Sequence, residues 1–195
     1  MSQERSVRTR RLLLHAAAEE FAARGYSGAR LKTVVDRIGM TKGALYGHFA
    51  SKEDLAEAVA DEAASCWADL RAKRAVQVLD PVDPVGELRL LAEELALLMD
   101  EDTVFRAAVR LASDGLYGSL ERDLVSTVSA HVTELVRRAQ REAGLAVAFP
   151  PAAFADLVTT AIFAGAKSGA PPGTAPGIGS RTRLNGLWEL LGPGG

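Results

Sequence analysis

Gly39 separates two short segments of helical periodicity, and that junction constrains the fold of this chain more than any other feature. Upstream, Leu31, Val34, Val35 and Ile38 recur at the spacing of one helix face. Downstream, Thr41-Lys42-Gly43-Ala44-Leu45-Tyr46-Gly47-His48-Phe49 opens on a residue suited to cap a helix. Two helices joined by a tight glycine turn make a helix-turn-helix, whose second helix can enter a DNA major groove. Leu45 and Phe49 are expected in the core behind that helix. Lys42, Tyr46 and His48 can donate hydrogen bonds to phosphate, while Gly43 and Ala44 leave the backbone bare for close approach to the groove floor. Thr33 and Lys52 fall close to helix N-termini, where the dipole favours anions, and are further candidate phosphate anchors. Arg30 is another. Taken singly, these lysines would be solvated surface charges, Tyr46 a packing residue and His48 an ordinary histidine. Their arrangement is what points to DNA.

Charge distribution agrees. Residues 1–52 contain ten Lys/Arg and four acids, a balance of +6 in a chain whose net charge is −2, so the remainder carries −8. A basic N-terminal quarter suits a polyanionic partner, and the acidic remainder does not. With 48% hydrophobic and 25% charged residues, the composition is that of an ordinary globular protein rather than a disordered one. One cysteine, Cys66, excludes an internal disulfide framework and fits a reducing compartment. No signal peptide or membrane-length apolar run is seen, so a cytoplasmic location with no membrane partner is expected.

The rest of the chain reads as helix. Leu13, Ala17 and Phe21 mark one face of a helix over about Val7–Arg24, ended by Gly25. Thr41 caps a third helix ending near His48. Ser51 caps a fourth, with Asp54 complementing its positive end, that runs to about Leu79 before Asp80-Pro81-Val82-Asp83-Pro84 stops it. Leu88, Leu91, Leu95 and Leu98 define a fifth, Val104–Ala112 a shorter sixth, and Leu124 to Ala139 a long seventh ended by Gly144. Pro150-Pro151 begins an eighth. A Gly/Pro-rich loop over 169–179 precedes a last helix holding Leu184, Leu187, Trp188 and Leu191. No strand is expected. The fold class is all-α, with about nine helices.

The motif Phe21-x-x-x-Gly25-Tyr26, followed by Gly39-Met40-Thr41-Lys42-Gly43-Ala44-Leu45-Tyr46-x-His48-Phe49-x-Ser51-Lys52-Glu53-Asp54-Leu55, resembles the DNA-binding domain of the tetracycline-repressor (TetR) family over residues 7–55. That resemblance implies a three-helix DNA-binding head (residues 1–52) and a helical ligand-binding and dimerisation body (53–195), with Tyr46 and His48 on backbone phosphates and Thr41 among the contacting residues. It further implies a ligand-responsive repressor that binds double-stranded operator DNA as a homodimer. Val104-x-Arg106-Ala107-x-x-Arg110-Leu111-Ala112, the Lys42-Gly43-Ala44-Leu45-Tyr46 wording and Trp188 resemble the γ-butyrolactone autoregulator receptors, repressors that release DNA on binding a hormone-like lactone. Two departures stand out. The stretch Tyr117 to Leu124 lacks the Trp those receptors usually carry, which keeps open a pseudo-receptor sensing an antibiotic or biosynthetic intermediate. Ala29-Arg30 stands where the family usually places Thr-Thr, removing a hydroxyl cap worth about 1 kcal/mol.

Two heads on a symmetric dimer would read a near-palindromic site, with recognition helices about 34–36 Å apart. The last two long helices, Phe154–Lys167 and Arg181–Leu191, carry the small residues that allow a homodimer contact; the same faces could instead close the monomer core. Trp67, Phe105, Val109, Thr159, Thr160, Phe163 and Trp188 are candidate walls for a small, mostly apolar effector, and each is also an ordinary core position. Thr159 and Thr160 could bond back to the carbonyl four residues earlier. Catalysis is not expected: His15, His48 and His131 are scattered, and no nucleophile elbow, Walker A or HExxH sequence occurs. No metal cluster or cofactor is expected either. The remaining rival is a helical protein-interaction module that uses the helix-turn-helix only as a fold.

Overall fold

The computed structural model describes residues 2–77, 83–115, 124–142, 150–168 and 179–191. Nine α-helices and one 3₁₀ turn are found among them, in the order α1 (Ser2–Gly28), α2 (Leu31–Arg37), α3 (Lys42–Tyr46), α4 (Lys52–Gln77), α5 (Pro84–Glu101), α6 (Thr103–Ser113), α7 (Leu124–Glu142), α8 (Pro151–Phe163), the turn Ala164–Ser168, and α9 (Ser180–Leu191). No strand occurs among the described residues. The Gly144 stop, residues 116–123 and residues 169–178 of the Gly/Pro-rich segment lie outside them, as does the stretch from Val78 to Val82.

The head is α1 to α3, closed by the start of α4. Leu13, Ala17 and Phe21 are buried on α1 as their spacing requires, and α1 begins earlier than expected, at Ser2. Gly25 interrupts it with φ 66° and ψ 179°, a backbone shape essentially confined to glycine. The chain turns there towards α2. A side chain at Gly25 would also collide with the body, since a Cβ built there lies 2.2 Å from an Asp114 carboxylate oxygen. That same oxygen accepts the Tyr26 backbone N–H at 3.0 Å, and Arg110 holds the other carboxylate oxygen at 3.2 Å. Asp114, just past α6, thus ties the body to the bend in α1.

In the body, α6 packs on α1 and α4, α7 on α5 and α8, and α9 wedges between α5 and α8. Helix ends here are satisfied by long-range side chains. Arg106 is buried and donates to the Met99 carbonyl at 2.9 Å, closing the end of α5. Burial lowers its pKa, opposed by Asp102 and Asp100. Asp100 receives the N–H groups of Ser180 and Arg181 at 2.9 and 3.2 Å, which caps α9 from α5. Arg183 reaches back to the Ala161 carbonyl at 2.8 Å and ends α8.

His131 on α7 is half-buried against the edge of Trp67, with ring centroids 5.5 Å apart. Burial, then Arg71, lowers its pKa below the usual histidine value. A depressed histidine contributes stability above its unfolded pKa of about 6.5, and that contribution is lost as pH falls through the folded pKa. Melting temperature is therefore expected to drop from pH 7 towards pH 5, and to drop less in His131→Gln. Equal pH profiles for the two proteins would refute this reading.

Candidate nucleic-acid interface

The turn between α2 and α3 is built by hydrogen bonds that leave the recognition helix little choice of direction. Gly39 (φ 67°) ends α2 in the left-handed region. The Met40 N–H bonds the Val35 carbonyl at 2.9 Å and the Gly39 N–H bonds Asp36 at 3.3 Å, a Schellman closure. Thr41 then caps α3, its hydroxyl accepting the Ala44 N–H at 3.1 Å. The helix is shorter than its spacing suggests: it ends at Tyr46, with the His48 and Phe49 N–H groups both bonding the Leu45 carbonyl at 2.9 Å. Ser51 caps α4, its hydroxyl accepting the Asp54 N–H at 3.1 Å, and the Asp54 carboxylate returns to the Ala50 N–H at 2.7 Å. This is a reciprocal capping arrangement, more than the dipole role expected of Asp54.

Leu45 and Phe49 are fully buried and anchor α3 from behind. Thr41, Lys42, Gly43, Ala44 and Tyr46 are exposed on its other side, and Tyr46 keeps 53% of its surface open to solvent. A Cβ at Gly43 would meet nothing nearer than Thr41 Oγ1 at 3.8 Å, so the fold itself does not demand glycine there. A backbone kept bare without an internal reason suits close approach by a partner. Arg30 is exposed at the start of α2; Thr33 and His48 are half-buried.

Lys52 behaves differently from its sequence-based role. Its ammonium donates to the Ala29 carbonyl at 2.7 Å and lies 4.5 Å from the centre of the Tyr26 ring. It works inside the head, holding the first turn of α4 to the α1–α2 joint, rather than as a free arm. Tyr26 completes that clamp by donating its hydroxyl to Glu53 at 2.5 Å, and burial, then Glu53, push its pKa up to about 12. Asp36 and Glu19, two of the four acids already counted in the +6 balance, are paired within the head, so Lys32 and Arg37 are not among its free cations. Lys32 pairs with Asp36 at 2.7 Å and Arg37 with Glu19.

Sequence reading misses Glu20, which is 1% exposed and accepts the Arg30 N–H at 3.2 Å. Arg24 sits 3.3 Å from it. A carboxylate therefore takes up the α2 terminus where no hydroxyl cap is present. Glu20 falls three residues after Ala17 and seven after Leu13, on the buried stripe, and an acid in that position is the signal that could have found it. Arg10, 4.7 Å from the centre of the Phe49 ring, escapes sequence reading as well.

The seven candidate effector residues are not gathered into one place. Trp67, Phe105, Val109, Thr159 and Trp188 are buried, Phe163 is half-buried, and Thr160 is exposed, a helical step of about 100° from Thr159. Thr159 does bond back, to the Ala155 carbonyl at 2.9 Å. Trp67 meets α7 through His131, whereas Trp188 meets α8 through Phe154 at 6.5 Å. Their indole N–H groups are buried and have no hydrogen-bond partner among the described residues.

A helix-turn-helix head locked onto an all-helical body is the class of protein that this fold and this exposed helix define. The family model of bacterial regulatory proteins of the tetR family matches residues 13–59. The A-factor receptor protein of Streptomyces griseus is 34% identical over 115 residues, covering 59% of this chain and only 38% of that protein's length. A solved structure described as the molecular basis for control of antibiotic production by bacterial hormones is 32% identical, with 95% of this chain and 96% of that one covered and a TM-score of 0.66. A γ-butyrolactone receptor (ArpA-like protein) gives a TM-score of 0.75 at 28% identity, over 96% and 87% of the two chains. The TetR family protein CprB of Streptomyces coelicolor, in complex with its operator, gives 0.75 at 29% identity, over 96% and 88%. The chain belongs to the TetR family of bacterial regulatory proteins, and within it resembles the γ-butyrolactone receptor branch. Among the described residues, no helix is long and apolar enough to cross a membrane.

Proposed function

We propose that this protein is a ligand-responsive transcriptional repressor that binds a near-palindromic operator as a homodimer and leaves it on binding a small, mostly apolar effector. The observation that carries the DNA-binding part is α3 itself: Lys42, Gly43, Ala44 and Tyr46 stand exposed on a helix whose back is fixed by Leu45 and Phe49. The likeness to a CprB–operator complex supports it. A dimer through α8 and α9 is supported by Leu157, 44% exposed on α8, and by the open space around Gly186 on α9. An effector with acceptor oxygens, of which a γ-butyrolactone is one, is supported by the N–H groups of Trp67 and Trp188, each buried and without a partner among the described residues. The alternative, a pseudo-receptor that senses an antibiotic or biosynthetic intermediate, would meet one or the other of these donors, which pack on different helices. Release then works as a population shift: about 1.4 kcal/mol of effector preference for the non-binding form lowers operator affinity tenfold.

Selection and sequencing of DNA fragments bound at fixed salt tests the reading. Enrichment of a near-palindrome is expected, with binding that weakens steeply as salt rises. Tyr46→Ala should weaken binding about tenfold, the scale of one lost phosphate or base contact, while leaving the melting temperature within a degree or two. Retention without sequence preference would reduce the head to a general DNA binder. No retention at all would favour the protein-interaction module.

A further inference from the structure

The exit of α8 is gripped from two directions. From α9, which shares the proposed dimer contact with α8, Arg183 donates to the Ala161 carbonyl at 2.8 Å and the Ser180 hydroxyl to the Ile162 carbonyl at 2.7 Å. From α6, Arg110 donates through Nη1 to the Ala166 carbonyl at 3.3 Å, within the 3₁₀ turn Ala164–Ser168 that continues α8. Ala166 is buried, so its carbonyl needs a partner from the protein.

The same guanidinium also holds the head. Its Nε reaches Asp114 Oδ1 at 3.2 Å, and Asp114 Oδ2 accepts the Tyr26 N–H at 3.0 Å. Tyr26 carries the path on to the first turn of α4, donating its hydroxyl to Glu53 at 2.5 Å. An unbroken line of hydrogen bonds therefore runs from the end of α8, through α6, to the joint at which α1, α2 and α4 meet. Taken alone, Arg110 with Asp114 is an ordinary i,i+4 pair that contributes little to stability. What sets it apart is reach: the arginine extends to a turn 56 residues further on, and the carboxylate to a bend 88 residues back. A planar guanidinium holds two such partners in one fixed relation, which an ammonium on a flexible stem does not.

We propose that Arg110 is a positioning residue for operator recognition: by fastening the exit of α8 to the bend at Gly25, it fixes how far apart the two recognition helices of a dimer stand. This rests on the homodimer reading above and goes beyond it, assigning half-site spacing to one side chain that acts through Asp114 and Ala166. Heads preset at one separation engage the second half-site as an intramolecular event at high effective concentration. Heads held loosely spread that concentration over many separations.

The test is selection from a DNA library in which two half-sites stand at varied spacing, using the full chain without effector. Affinities are then measured for the selected full site and for one half-site alone. The wild-type chain is expected to enrich one spacing. Arg110→Met, which keeps the stem and removes the donors, should accept several spacings, bind the wild-type site about tenfold more weakly and hold a single half-site within about twofold. Asp114→Ala, at an exposed position just past α6, breaks the same line and should reproduce that pattern, so it carries the test if Arg110→Met folds poorly. The double variant should be no worse than the worse single. One unchanged spacing in both variants would overturn the proposal. So would an equal loss on half-site and full site, which would make Arg110 a support of the head's own fold. A wild-type chain that prefers no spacing would instead refute the homodimer reading, and this inference with it.

Discussion

Leu45→Asp is expected to abolish the head. The side chain is fully buried between α3 and the helices behind it, and its carbonyl receives both N–H groups that end the recognition helix. Removing it forfeits about 1.5–3 kcal/mol of apolar burial. An unpaired carboxylate in its place costs several kcal/mol more, either as buried charge or as a raised pKa. The total approaches the ~5–15 kcal/mol that holds a typical domain together. The expected result is loss of helical circular dichroism, rapid trypsin cleavage at Arg37 and Lys42, and no DNA binding. Leu45→Met, which keeps volume and polarity, should cost less than about 1.5 kcal/mol and retain all three properties. A folded, protease-resistant Leu45→Asp protein would show that α3 is not held as described.

Gly25→Ala should be the second most damaging change, for two separable reasons. The backbone shape at this residue, φ 66° with ψ 179°, strains any L side chain by about 1–3 kcal/mol. In addition, the new Cβ would lie 2.2 Å from the Asp114 carboxylate and displace it from the Tyr26 N–H, a charged hydrogen bond worth about 1.5–3 kcal/mol. Together these predict a melting temperature lower by about 10 °C in a chain of this size. The double variant Gly25→Ala with Asp114→Ala removes the collision, and the Asp114→Ala single measures the cost of losing the Tyr26 and Arg110 contacts. The cycle therefore isolates the coupling between the new Cβ and the carboxylate. If the double variant is no more stable than the sum of its singles, the collision is not the cause.

Local rules carry much of this fold. The apolar spacing of Leu13, Ala17 and Phe21, the Thr41 and Ser51 caps and the Gly25 and Gly39 breaks each act within a few residues, so the order of helices is legible directly. What stays hidden acts across the chain. Glu20 reaches Arg30 over ten residues, Lys52 reaches Ala29 over twenty-three, and Tyr26 reaches Asp114 over eighty-eight. No periodicity encodes such a meeting. The exposed face of α3 is legible because a five-residue helix pinned at Leu45 has only one side left to offer. The body is not: spacing identifies the buried face of α4 or α9, but not which neighbour covers it, so it groups Trp67 with Trp188 although they pack on different helices. Thr160 illustrates the same gap, since one step around α8 separates it from the core.

The contact between Asp114 and the bend at Gly25 also makes α6 a measuring rod. Asp114 follows the last turn of that helix, so each residue added within it would swing the carboxylate by about 100° and advance it by about 1.5 Å. A single insertion would carry it away from the Tyr26 N–H, whereas most side-chain replacements along α6 would leave it in place. The tilt of the head on the body is thus set by a count of residues, and a relative whose α6 is one residue longer or shorter should hold its recognition helix at a different angle.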